Sequence, residues 1–139
     1  MICYDGWFPE VARHLAWMGA EVILHPTATE TSDRAQEVVL AQANAIVNQV
    51  FIVNVNSAAG ASSGRSVIVD PEGHVLQTAG PGEAFLTEVL DLDAVTRVRE
   101  YGSVGLNRMW DQLAREGAGI ELPLYGGDLS AARRMRSRG

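Results

Sequence analysis

The residues equipped for chemistry crowd the start of the chain. Cys3 is the single cysteine among 139 residues, and it sits in the run Met1-Ile2-Cys3-Tyr4-Asp5-Gly6-Trp7-Phe8-Pro9-Glu10. Asp5 and Gly6 suit a tight turn, and a helix-like pattern leaves from Phe8 onward. A cysteine at a sharp strand-to-helix junction is held out from the backbone. The N–H groups of the turn and of the helix start then point at whatever it attacks. The positive helix end favours thiolate over thiol. That is nucleophile chemistry. The same cysteine, next to an apolar strand, also fits a small buried core residue. Only Met1 and Ile2 precede it, so the strand that should support it has almost no length.

Other candidates each carry two readings. Glu10 can bond main-chain groups near the helix start and shape a pocket, or simply favour the helix dipole. Asp5 closes the turn. His25 ends an apolar strand near the same region, as an acid or base or as a satisfied structural group. Asn54 and Asn56 end another strand facing that region, and either bind substrate or bond loops. Trp7 and Phe8 line a pocket or pack the turn. His14 and His74 look like surface residues. No Cys/His cluster has metal-ligand spacing and no glycine-rich phosphate loop stands out, so neither metal nor cofactor is expected. All eleven basic residues are arginine. A mechanism that needs a catalytic lysine cannot be completed by this chain alone.

Bulk properties narrow the class. A hydrophobic content of 47% with 20% charged residues predicts one globular domain, or part of one, and not a disordered chain. No apolar run approaches ~18 residues, so no membrane span is expected. No basic leader precedes the motif, and one cysteine leaves no internal disulfide; both fit a cytoplasmic protein. A net charge of −6 argues against nucleic acid as a partner.

The elements that must position these residues follow from periodicity. Residues 9–18 predict a helix, with Pro9 in its first turn and Gly19 at its end. Residues 21–25 predict a strand buried on both faces and stopped by Pro26. Asp33 is placed to cap a helix over 34–48, whose stripe is Val38, Val39, Ala41, Ala45 and Ile46. Strands are expected at 50–55, 66–69, 75–78 and 84–90, with turns at Asp70-Pro71-Glu72-Gly73 and Gly80-Pro81-Gly82. Short helices are expected at 92–100 and 107–116. The stretch 117–127 reads as an arm, and the Arg-rich 128–139 as a disordered basic tail. Alternation followed by hairpins predicts an α/β fold, a mixed sheet with helices on one face.

Four blocks bear a family resemblance. Ile2-Cys3-Tyr4-Asp5 with Phe8-Pro9-Glu10 resembles the nucleophile segment of the nitrilase superfamily of carbon–nitrogen hydrolases. Glu21-Val22-Ile23-Leu24-His25-Pro26-Thr27 resembles the strand and loop that follow it. Ala45 to Asn56 and Gly64 to Gly73 resemble the later helix-to-strand and hairpin blocks. The resemblance covers about the first ninety residues and corresponds to the C-terminal half of a family member. It implies half of an α-β-β-α sandwich, spanning 1–127, and a family that commonly forms dimers. It also implies a Glu-Lys-Cys triad acting on an amide or nitrile. Glutamate takes the thiol proton, the thiolate attacks the carbon, lysine stabilises the tetrahedral intermediate, and water then hydrolyses the thioester. Cys3 matches the nucleophile, and the Tyr4 main-chain N–H falls at the oxyanion position. The family's glutamate and lysine precede the cysteine, so this chain lacks both. Glu10 belongs to the post-cysteine motif and is not the triad base. Val47 departs from the pattern, since many members have glutamate there.

Three functions compete. An amidase-type hydrolase requires an upstream segment carrying glutamate and lysine, and takes a small amide or nitrile as substrate. A non-catalytic remnant or subunit would bind a partner through an exposed sheet face, as a homo-oligomer or with a missing N-terminal half. A redox or acyl-carrier-like α/β domain would use Cys3 alone, but no resolving cysteine is present.

Overall fold

The computed structural model describes residues 1–60 and 62–116. A 3-10 turn over Cys3–Trp7 leads into α1 (Pro9–Trp17), β1 (Val22–Thr27), α2 (Arg34–Asn48) and β2 (Phe51–Asn56). The hairpin β3 (Val67–Val69) and β4 (Val75–Thr78) follows, then α3 (Asp93–Tyr101) and α4 (Met109–Glu116). The expectations for 117–139, arm and tail, lie outside the described residues.

The sheet has the order β1-β2-β3-β4. β1 and β2 are parallel, pairing His25 with Asn54 and Thr27 with Asn56. β3 joins β2 antiparallel, with Asn54 opposite Val67, and β4 joins β3 antiparallel. The mixed α/β sheet is therefore as the sequence predicts. Side chains alternate across it. Ile23, Ile52, Val67 and Val69 face the helices and form one buried cluster with Ala12 and Ala16 of α1 and Ala41 and Ala45 of α2. Alanine at these four helical positions lets both helices lie close to the sheet. Trp110 of α4 completes the cluster, its ring 5.7 Å from that of Trp17.

Helix ends follow local chemistry. Gln49 takes the left-handed conformation (φ 52°, ψ 57°) and its N–H bonds back to Ala45 and Ile46, closing α2. A non-glycine residue holds this conformation because its side chain is buried and bonded. Its amide donates to the carbonyls of Val98 (3.1 Å) and Asn107 (2.9 Å), tying α3 and the segment just before α4 to the end of α2.

Four expectations need correction. β1 runs through Pro26 instead of stopping there. It is an edge strand, where a missing N–H can face away from the ladder. β1 is also buried on one face only, with Leu24 64% exposed, because the helices pack against one side of the sheet. Asp33 stands at the N-cap position of α2 but in helical conformation, and its side chain makes no cap bond; it accepts from the Thr31 hydroxyl instead. Residues 84–90 form no strand. Alternation there supplies apolar side chains but no ladder partner, and Phe85 and Val89 are almost fully exposed.

Candidate active site

Everything about the candidate site is set by the turn that carries Cys3. Ile2 is extended, with φ −129° and ψ 129°. Cys3 then turns the chain with φ +47°. Asp5 closes the turn in both directions. Its carboxylate accepts from the Ile2 N–H at 2.8 Å, and its own N–H donates to the Ile2 carbonyl at 3.0 Å. The Phe8 N–H returns to the Asp5 carbonyl, and Pro9 opens α1 immediately after. The Cys3 side chain is exposed. An exposed thiol ahead of a helix, presented by a left-handed backbone, is thus in place.

A left-handed non-glycine residue costs on the order of 1–3 kcal/mol and persists only where its surroundings enforce it. Three elements enforce this one. From β1, His25 places Nε2 2.8 Å from the Cys3 carbonyl oxygen. From β2, the Asn54 amide lies 2.8 Å from His25 Nδ1 and 3.4 Å from the His25 carbonyl. From α2, the Asn44 amide donates to the Gly6 carbonyl at 3.2 Å, and Asn48 donates to the Asn44 carbonyl at 2.9 Å. His25, Asn44, Asn48 and Asn54 are all buried. Carbonyl oxygens only accept, so His25 donates from Nε2 to the Cys3 carbonyl.

Gly6 is buried and has no room for a side chain, because a Cβ there would collide with the His25 ring. Gly6→Ala is expected to cost about 1–3 kcal/mol, as overpacking does, and to loosen the turn. Urea unfolding measures the first effect, and the backbone amide signals of residues 2–6 the second.

The residues that follow Cys3 bring three aromatic rings together. Tyr4 is exposed, with its ring edge-on to Phe8 at 5.3 Å and 6.3 Å from Trp7. Trp7 is half-buried. Glu10 stands exposed in the first turn of α1, bordering a shallow groove with Val11, His14 and Leu15. Cys3, Tyr4, His25 and Asn54 therefore gather at one turn, with His25 and Asn54 beneath the backbone and Cys3 and Tyr4 above it.

Sequence reasoning missed two supports. Asn44 and Asn48 are polar residues one helical turn apart, beside Ala41 and Ala45 on the buried face of α2, which was the available signal. The other is a buried ion pair between Arg34 and Glu37. Arg34 also donates to the Arg65 carbonyl at 2.7 Å, and Glu37 accepts from the Thr29 hydroxyl at 3.0 Å. Next to it Asn56 accepts from Thr27 and from the Thr29 N–H, and donates to the Thr29 and Gly64 carbonyls. These bonds pin the loops that leave the C-terminal ends of β1 and β2, where α/β sheets carry their sites. Among the described residues, no group of three His, Cys, Asp or Glu side chains could hold a metal ion. No described helix is long and apolar enough to cross a membrane.

Comparison with known proteins places this arrangement. The sequence model of the family described as carbon-nitrogen hydrolase matches residues 1–100. The omega-amidase NIT3 of Saccharomyces cerevisiae is 32% identical over 116 residues, which cover 79% of this chain and 40% of the relative. The omega-amidase NIT2 of Mus musculus is 33% identical over 105 residues, covering 71% of this chain and 38% of the relative. The crystal structure of Saccharomyces cerevisiae Nit3, a member of the nitrilase superfamily, superposes with a TM-score of 0.66 at 33% identity, covering 70% of this chain and 38% of that one. The chain belongs to the carbon–nitrogen hydrolase family. It spans about two fifths of the length of these relatives.

Proposed function

We propose that this chain is the nucleophile-bearing, C-terminal portion of an amidase-type carbon–nitrogen hydrolase. The observation that carries this reading is the exposed Cys3 on a left-handed turn at the entry to α1, inside the segment that resembles the family's nucleophile block. In this mechanism the Cys3 thiolate attacks the carbon of a small amide or nitrile. The Tyr4 main-chain N–H receives the developing oxyanion, and Trp7, Glu10 and Tyr4 border the substrate. Ammonia or an amine leaves, and water cleaves the thioester. By the resemblance, glutamate serves as base and lysine as electrophile, and at least the lysine must come from outside these residues, which include none. A lone cysteine fits a cytoplasmic enzyme. The test is the complete protein, with amide as substrate: turnover is expected to fall by several orders of magnitude in Cys3→Ala. Retained turnover in that variant would refute the assignment.

A second reading, a subunit that acts by docking, is favoured by one observation. The sheet face away from the helices exposes Leu24 (64%) and Val55 (52%). A sandwich would cover that face with a second sheet ~10 Å away, and exposed apolar patches above a few hundred Å² are rare on monomers. The isolated chain is expected to self-associate or to bind an N-terminal half. Sedimentation velocity at low micromolar concentration checks it. A compact monomer that binds no apolar dye would remove the open-face reading.

A further inference from the structure

We propose that His25 is a positioning residue for the Cys3 turn, and that Asn54 holds its ring in an Nε2-protonated form that donates to the Cys3 carbonyl. The proposal rests on the reading of Cys3 as nucleophile. It concerns what holds Cys3 in place and not the chemistry Cys3 performs. His25 is 2% exposed and Asn54 0%. Both ring nitrogens of His25 are engaged, neither with the sulfur: Nε2 meets the Cys3 carbonyl oxygen and Nδ1 meets the Asn54 amide. A histidine so engaged has no free nitrogen with which to take a thiol proton. It can fix the carbonyl that follows the left-handed φ of Cys3, and with it the direction in which the thiol projects.

Asn54 selects the tautomer. Its amide nitrogen faces two acceptors, His25 Nδ1 and the His25 carbonyl, so Nδ1 cannot carry a proton without losing its partner. The remaining proton sits on Nε2, where the Cys3 carbonyl needs it. The parallel register of β1 and β2 makes the pairing possible by setting Asn54 directly beside His25. Gly6, which has no side chain, lets the ring reach the turn. The chain of contacts thus runs from β2 through β1 to the nucleophile backbone, with each donor matched to an acceptor.

Nitrogen-15 NMR of the histidine side chains in the 139-residue chain tests the tautomer. His25 is expected as neutral imidazole protonated on Nε2. In Asn54→Asp, a carboxylate faces Nδ1 and His25 is expected to become doubly protonated. An Nδ1-protonated ring, or a mixture of tautomers, would overturn the proposal. Alkylation of Cys3 by iodoacetamide under native conditions tests the positioning. His25→Phe keeps a ring but no donor. Its alkylation rate is expected to change by on the order of fivefold, the worth of one ordinary hydrogen bond, with shifts in the amide signals of residues 2–6. His25→Gln, whose amide can donate to the same carbonyl, should recover most of the rate. An unchanged rate and unchanged signals in His25→Phe would overturn the proposal. Should His25→Phe not fold, the tautomer in wild type and in Asn54→Asp decides. Failure of the nucleophile reading would look different: the tautomer and alkylation results would stand, while Cys3→Ala of the complete protein kept its turnover.

Discussion

The pure 139-residue chain is expected to release no ammonia above background from simple amides. The thioester route needs a base to take the thiol proton and a cation to hold the tetrahedral oxyanion. This chain can offer an exposed thiol and backbone N–H groups, but its cations are all arginine. Buried Arg34 is committed to Glu37 and the Arg65 carbonyl, and Arg99 donates to the Ala20 carbonyl at 2.8 Å. His25, the histidine nearest Cys3 in the structure, spends both nitrogens on other partners. Loss of one member of a catalytic unit removes most of its effect, because the members act together. A rate at least ~10³-fold below that of a complete family enzyme is expected. An ammonia assay checks it. Steady release abolished by Cys3→Ala would mean that the chain completes the machinery itself.

Arg34→Ala is expected to destabilise the chain by about 3–5 kcal/mol, because it strands the Glu37 carboxylate in a dry site. Both residues are nearly fully buried, at 1% and 2% exposure. Such a loss is a large share of the ~5–15 kcal/mol that holds a typical domain together. The loops on either side should loosen with it, since Thr29 and Arg65 bond to the same pair. Replacing both charges, as in Arg34→Met with Glu37→Leu, is expected to recover much of the loss, because no uncompensated charge then remains. Urea unfolding of the two single variants and the double variant gives the coupling. A loss under ~1 kcal/mol for Arg34→Ala would show that water reaches Glu37 and that the pair is not a dry one.

The parts of the fold that depend on local pattern were legible in the sequence. The α2 helix, the alternation of the early elements and the Asp70–Gly73 turn announce themselves through side-chain period and turn chemistry. The expected α2 stripe is only partly right: Ala41 and Ala45 are buried, whereas Val39 and Ile46 are 62% and 46% exposed. The buried face carries Arg34, Glu37, Asn44 and Asn48 instead. Features that depend on a neighbour were not. Pro26 reads as a stop unless β1 is known to be an edge. Residues 84–90 read as a strand unless the lack of a ladder partner is known. The Cys3 turn shows the same limit at the site. Asp5 and Gly6 mark a turn, yet the left-handed residue is Cys3 itself, and Gly6 is glycine because the His25 ring lies against it. His25 and Asn54 were recognisable as polar residues near the site. Their pairing needed the register of β1 on β2, which no single-strand pattern encodes.

The most direct measurement is mass spectrometry of this chain combined with a glutamate- and lysine-bearing N-terminal half of a family member and then given a simple amide. The expected result is an assembled complex that hydrolyses the amide and carries an acyl adduct mapped to Cys3, with adduct and turnover both absent in Cys3→Ala. A complex that hydrolyses the amide equally well with Cys3→Ala, or that turns over while Cys3 stays unmodified under acyl-trapping conditions, would contradict the assignment of Cys3 as the nucleophile.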